Sequence, residues 1–242
     1  MNALKESIRT LVSTLGYNIR NTASIGVCPF SDMKRFVPTN PNPLILDIGA
    51  NVGQSVERFK KIFPSSTIHS FEPSPETFRK LSQNVSTQKN VVIWNCGIGA
   101  SICRQEFLEN TSSVRSSFLG WSTTSWGQVK TKTVVDITTI DHFLEAHHIG
   151  YVNILKSDTQ GYDFEVFKGA ERTMRENRIG LLYFEFIFSD MYKNLPSFDE
   201  VFRYLIDRNF SLVSIYNIHH QKRLAIEADL LFVNREYYAK VT

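Results

Sequence analysis

The sequence predicts an α/β fold built on a seven-stranded, mostly parallel sheet whose last strand runs antiparallel. Short apolar runs of strand length alternate with segments of helical periodicity from residue 44 onward, the pattern of a parallel sheet covered by helices. Only the stretch "IHHQKRLAIE" separates the last two strands, too little for a helical crossover, so those two pair antiparallel. At 242 residues with 42% hydrophobic content, the chain is long and apolar enough to bury such a core.

In chain order, Leu4, Ile8, Leu11, Val12 and Leu15 recur at helical spacing before Gly16, which predicts a helix over 3–15 that packs as a cap. Glu6 and few basic residues make its polar face weak for anionic lipid. Residues 21–43 carry Pro29, Pro38, Pro41 and Pro43 and read as a connector. A cap unit over 1–42 therefore precedes a main domain over 43–242. Strand 44–48, helix 53–63, strand 67–71, helix 75–85 and strand 91–95 follow as βαβαβ. Ser74 before Pro75 and Ser197 three residues before Glu200 mark helix starts. Polar, Ser/Thr-rich turns with short β-like pieces over 98–135 read as an insertion above the sheet's carboxyl edge. Helices over 138–147, 163–177 and 198–208, with strands at "YVNILKS", "GLLYFEFIF", "FSLVSIYN" and "ADLLFVN", complete the pattern.

A formal charge of +3, from 27 basic and 24 acidic residues without long runs, gives no electrostatic footprint for nucleic acid or an anionic membrane. Cys28, Cys96 and Cys103 are an odd count without a C-x-x-C pair, which argues for reduced thiols and against structural zinc. Lys5, Glu6 and Arg9 interrupt the first segment, so it reads as neither a signal peptide nor a membrane span. The expectation is a cytoplasmic protein with no transmembrane segment, and nothing in the sequence marks an oligomer interface.

Open parallel sheets bind ligands outside the carboxyl ends of their strands, which directs attention to the loop after the first strand. It reads Asp47-Ile-Gly49-Ala50-Asn51-Val-Gly53, not the G-x-G-x-x-G of a dinucleotide site, and no Walker lysine follows. A carboxylate two residues before the first glycine repels a pyrophosphate and attracts a cation. S-adenosylmethionine suits that asymmetry, with glycine letting the backbone approach its amino-acid end. The plainer reading of Asp47 is a loop-capping acid. Glu72, with Pro73, ends the second strand, where an acid can accept hydrogen bonds from ribose hydroxyls. Asn95 and Cys96 end the third and are placed to line the base, or simply to pack the strand end.

The segments "LDIGANVGQ", "FEPSPETFRKL", "VVIWNCGIGA", "LKSDTQGYDFEVFKGA" and "DLLFVN" follow in order the pattern of the FkbM-like methyltransferases, and the chain resembles that family over roughly residues 43–234. The resemblance implies a Rossmann-like class I methyltransferase fold. It also implies S-adenosylmethionine as cofactor and methyl transfer to a hydroxyl of a sugar, glycolipid or polyketide-like metabolite. One departure stands out. The family commonly has an acid in the D-x-E-G turn, whereas this chain reads Asp158-Thr159-Gln160-Gly161, and an amide can hydrogen-bond but cannot act as a base.

O-methyl transfer needs an aligned hydroxyl and a base within hydrogen-bond reach of it. Asp158, at the expected carboxyl end of strand four, is the first candidate. Glu185, an acid inside "LLYFEF", needs a partner or a ligand and is the second. His219, beside His220 in the connection between the last strands, is the third. Each has a plainer reading, as a cap, a structural hydrogen bond and a solvated loop residue respectively. Thr159 and Gln160 add no second acid beside Asp158, so no metal is expected. In the insertion, Ser112, Ser113, Arg115, Trp121 and Trp126 are candidates to line an acceptor pocket with Gln160, although indoles also serve as packing anchors. The acceptor class is a small molecule or glycan. A nicotinamide oxidoreductase and a noncatalytic interaction module of the same fold are the alternatives.

Overall fold

The computed structural model describes residues 2–16, 24–37, 42–122 and 129–241. Helices α1 (Asn2–Thr14) and α2 (Pro29–Phe36) precede β1 (Leu44–Ile48), α3 (Gln54–Ile62), β2 (Thr67–Phe71), α4 (Pro75–Asn84) and β3 (Val91–Trp94). Then come β4 (Gly97–Ile98), β5 (Cys103–Asn110), a 3-10 turn (Ser113–Arg115), β6 (Val129–Thr138), α5 (Ile140–Ala146) and β7 (Val152–Ser157). The chain closes with α6 (Asp163–Lys168), α7 (Glu171–Arg175), β8 (Ile179–Ile187), α8 (Phe198–Ile206), β9 (Phe210–Gln221), β10 (Leu224–Asn234) and α9 (Arg235–Val241).

Among the described residues, seven strands form the main sheet in the order β3-β2-β1-β7-β8-β10-β9. The first five are mutually parallel, and β10 runs antiparallel to both neighbours, as the short final connection requires. Side chains alternate across the sheet. Ile45, Ile154 and Leu181 pack under α2, α3 and α4 with Met33, Phe59 and Leu81, whereas Leu46, Leu155 and Leu182 pack under α5 to α8 with Phe143, Phe167 and Leu205. Both faces are thus buried, and the central strands read as apolar runs instead of alternating. Ser74 and Ser197 cap α4 and α8 as expected, accepting from the N–H groups of Thr77 and Glu200 at 3.2 and 3.4 Å.

Several expectations need correction. The proline-bearing connector contains α2, with Pro29 in its first turn, where a missing N–H costs nothing. The apolar side chains Ile8, Leu11 and Leu15 of the N-terminal segment stand exposed, so they do not seat it as a cap. The polar insertion is β structure, as read, and it extends to a second sheet, β4-β6-β5, over its own small core of Phe107, Phe118, Val135, Ile137 and Tyr162. The helix expected over 163–177 breaks at Gly169, whose added Cβ would lie 2.0 Å from the carbonyl oxygen of Gly99. That close approach lets the second sheet join the first. Finally, β9 and β10 are longer than read, so His219 and His220 are strand residues and only Lys222 and Arg223 form the turn.

Candidate active site

The winding of the sheet reverses between β1 and β7, and a cleft of about 540 Å³ opens beyond the carboxyl ends there, a size typical of small-molecule sites. Gly49, Ala50, Asn51, Glu72, Pro73 and Cys96 line it from the β1–β2–β3 side. Asp158, Gln160, Glu185 and His219 line it from β7, β8 and β9, and Ser113 and Arg115 reach it from the second sheet's turn. The residues read as cofactor-side and as reactive therefore flank one cavity from opposite halves of the sheet.

Asp47, Gly53 and Asn95 do not line the cleft. Asp47 is fully buried, accepts from Ser55 Oγ at 2.6 Å, and is ion-paired to Lys156 Nζ at 3.1 Å. Asp47 and Lys156 are register partners on adjacent strands, so its charge is met inside the sheet, not by a ligand. Gly53, at φ +101°, starts α3 where a Cβ would press on Val85 and Leu81, a packing role. Asn95 donates from Nδ2 to the carbonyls of Glu72 and Pro73 at 2.9 and 3.1 Å, fixing the chain after β2. Trp126 lies outside the described residues. Trp121 packs against Tyr192 with ring centroids 5.4 Å apart and planes tilted by 60°, away from the cleft lining, as an anchor.

The loop after β1 is held tightly. Gly49 has φ +72°, and a Cβ there would sit 2.0 Å from the Asp158 carbonyl oxygen, so only glycine lets the β1 and β7 ends meet. The N–H groups of Gly49 and Ala50 both donate to the Phe71 carbonyl at 3.0 Å. That of Asn51 donates to Glu72 Oε2 at 3.0 Å, and Ser74 N–H to Oε1 at 2.9 Å. Glu72 is buried, and that burial pushes its carboxyl up to about 7 against the pull of those two N–H bonds. Ser113 Oγ donates to Asn51 Oδ1 at 3.0 Å, closing the second sheet's turn over the loop.

Carboxyl groups crowd the opposite half. Gln160, at φ +54°, donates from Nε2 to Glu185 Oε2 at 2.7 Å and to Asp158 Oδ1 at 3.3 Å, and its Oε1 accepts from Tyr192 at 3.0 Å. Asp229 accepts from Tyr183 and Asn217 at 2.8 and 2.7 Å. His219 Nδ1 lies 3.0 Å from Glu227 Oε1. Burial first, and then Asp158 and Glu227, drive the Glu185 carboxyl far above the ordinary carboxylate range. Burial alone would pull the Lys156 ammonium down, but Asp47 and Asp158 overcome it and hold its proton.

Lys156, Tyr192 and Asp229 were missed by sequence reasoning. Lys156 carried a signal, since a lysine inside the apolar run "YVNILKS" must find a partner when the strand is buried on both faces. Asp229 carried the same signal in "ADLLFVN". Tyr192 carried none, because its role depends on a loop folding back onto Gln160.

A family model described as a methyltransferase FkbM domain matches residues 47–212. A 2-O-methyltransferase, NoeI, of Sinorhizobium fredii is 22% identical over 182 residues, covering 66% of this chain and 74% of its own length. Methyltransferase 1 of Beauveria bassiana is 26% identical over 162 residues, covering 60% of this chain and 61% of its own length. The crystal structure of the methyltransferase FkbM from Methylobacillus flagellatus superposes with a TM-score of 0.53 at 14% identity, over 78% of this chain and 44% of that one. The chain thus spans less than half of that solved chain and under two thirds of the Beauveria relative, and the structural likeness speaks for the fold. The family match over residues 47–212, from the end of β1 to the start of β9, carries the assignment: the chain belongs to the FkbM family of methyltransferases.

Proposed function

We propose that this protein is an S-adenosylmethionine-dependent O-methyltransferase that acts on a hydroxyl of a sugar, glycan, glycolipid or secondary metabolite. The observation that carries the cofactor reading is the bonding of the first loop. The N–H groups of Gly49, Ala50 and Asn51 are already engaged by Phe71 and Glu72. A pyrophosphate needs such donors free, which weighs against a dinucleotide. A phosphate-free nucleoside with a cationic end suits a cleft with a buried carboxyl at one side and several at the other.

Residues present fit that group. The Glu72 carboxylate, fixed by two backbone donors, has lone pairs left for ribose hydroxyls. Cys96 and Ile98 offer apolar surface for a base, and the Asp158 carboxylate suits the cationic end. When bound, S-adenosylmethionine supplies an electrophilic methyl group. Asp158, exposed in the cleft and 3.8 Å from Lys156 Nζ, is the base that takes the proton of the acceptor hydroxyl. The 2-O-methyltransferase name of the Sinorhizobium relative favours oxygen as the acceptor atom.

Calorimetry with S-adenosylmethionine, its demethylated product and NAD tests the cofactor, and radiolabelled methyl transfer across deoxysugars, oligosaccharides and lipid-linked glycans tests the acceptor. The expected result is binding of the first two ligands but not NAD, with label on a glycan. Binding of NAD alone would overturn the reading.

A further inference from the structure

Two carboxyl groups share one nitrogen in the reactive half of the cleft. Gln160 Nε2 lies within hydrogen-bond distance of both Glu185 Oε2 and Asp158 Oδ1. Gln160 Oε1 faces the Tyr192 hydroxyl at 3.0 Å, with the amide nitrogen toward the two carboxyls. A carboxylate at position 160 could not donate at all.

The two carboxyls live in different surroundings. Asp158 has its side chain 45% exposed and a lysine ammonium 3.8 Å away. Glu185 is largely enclosed, and no cation pairs with it among the described residues. The charged groups that act on it most are Asp158 from the turn after β7, Asp163 from α6, and Glu227 and Asp229 from β10, all acids. Lys156 is paired with Asp47, His219 Nδ1 lies 3.0 Å from Glu227 Oε1, and Arg58, which also lines the cleft, sits over the Phe30 ring. Arg115, on the overlying turn, lines the same cleft. Gln160 gives each carboxyl one N–H and neutralises neither; the enclosed carboxyl, Glu185, faced by further acids, is the one that keeps its proton.

We propose that Glu185 serves as a hydrogen-bond donor, not as a base, and grips a second oxygen of the acceptor beside the hydroxyl that Asp158 deprotonates, with Gln160 as the positioning residue for both. The inference rests on the methyl-transfer reading above and narrows its acceptor to a vicinal diol, or a hydroxyl next to a ring oxygen. Gln160 occupies Oε2 as donor, so the Glu185 proton sits on Oε1. In the transfer, the acceptor oxygen gains the methyl carbon as the carbon–sulfur bond breaks, and the hydroxyl proton passes to Asp158. The Glu185 proton stays in place, its hydrogen bond strengthening the grip on the neighbouring oxygen.

Carbon-13 labelling of the Glu and Asp side-chain carboxyls, followed by NMR across pH, reads the split in the protein without cofactor or acceptor. One Glu signal, absent in Glu185→Gln, is expected to titrate above neutral pH, and Gln160→Glu is expected to move it higher still. A Glu185 midpoint in the ordinary carboxylate range, or one unmoved by Gln160→Glu, overturns the proposal. Saturation-transfer NMR with methyl glycosides, each paired with its monodeoxy analogue, reads the acceptor class. At least one diol is expected to respond severalfold more strongly than its partner, with Glu185→Gln keeping that preference and Glu185→Ala erasing it. Equal responses within every pair, no response at all, or the same loss in Glu185→Gln as in Glu185→Ala overturns it. The carboxyl titration is independent of cofactor calorimetry, so failure of the methyl-transfer reading and failure of this one are separable.

Discussion

At the scale of the residue, one acid was readable for its place and another only for its presence. Glu72 stands at the end of β2 and lines the cleft where a ribose-binding carboxylate was expected. Its carboxyl, raised to about 7 by burial, sets a pH signature. A ligand whose hydroxyls donate to the ionised form binds best above that value and loses affinity as the carboxyl takes up a proton. Calorimetry with S-adenosylhomocysteine is expected to show binding that weakens about tenfold per pH unit below neutrality. Glu72→Gln should lose that dependence and cost about 1.5–3 kcal/mol of binding. A wild-type affinity that is flat across neutral pH would count against a ribose contact. Asp47 was equally visible in the sequence, but its partner was not. Lys156 lies more than a hundred residues away and meets it only because β1 and β7 align in register.

At the scale of the element, the chain's own chemistry fixed most boundaries. β1 and β2 fall at the expected residues because apolar strand-length runs end at an acid and a glycine or proline. α4 starts at Ser74-Pro75 because the hydroxyl satisfies an orphan N–H. α9 escaped notice although Asn234 caps it, accepting from Glu236 and Tyr237 N–H at 3.1 Å. The β9–β10 turn was hidden because its sequence is atypical. Lys222 and Arg223 hold φ +47° and +72°, the pair of left-handed residues that a two-residue hairpin needs and that Asn-Gly adopts with least strain. Replacing them with Asn-Gly is expected to stabilise the protein by about 1 kcal/mol, because the left-handed strain relieved at both positions exceeds the entropy that glycine adds to the unfolded chain, read as a rise in thermal midpoint with unchanged cofactor binding. A fall in midpoint would mean that these side chains hold something beyond their turn.

At the scale of the whole molecule, the Asp47–Lys156 pair joins the two halves of the sheet where its winding reverses. Neither side chain is more than 8% exposed. Removing one partner leaves the other charge buried, so Lys156→Met is expected to cost about 3–5 kcal/mol in denaturant unfolding. Asp47→Leu with Lys156→Met should recover part of that loss, since an apolar pair leaves no orphan charge. A single variant as stable as the parent would show that the pair holds nothing together. No helix among the described residues is long and apolar enough to cross a membrane.

The sequence by itself determined the α/β alternation, the antiparallel final pair, the loop after β1 and the acid after β2. Each depends on neighbours close in the chain: periodicity, capping and short connections. Tertiary structure alone decided which acid faces the cleft and which faces a lysine. It also made the polar insertion a sheet, and it set an amide at position 160 between two carboxyls. Those outcomes depend on strand register and on loops meeting across the fold, and a charge's role is set by what surrounds it in space.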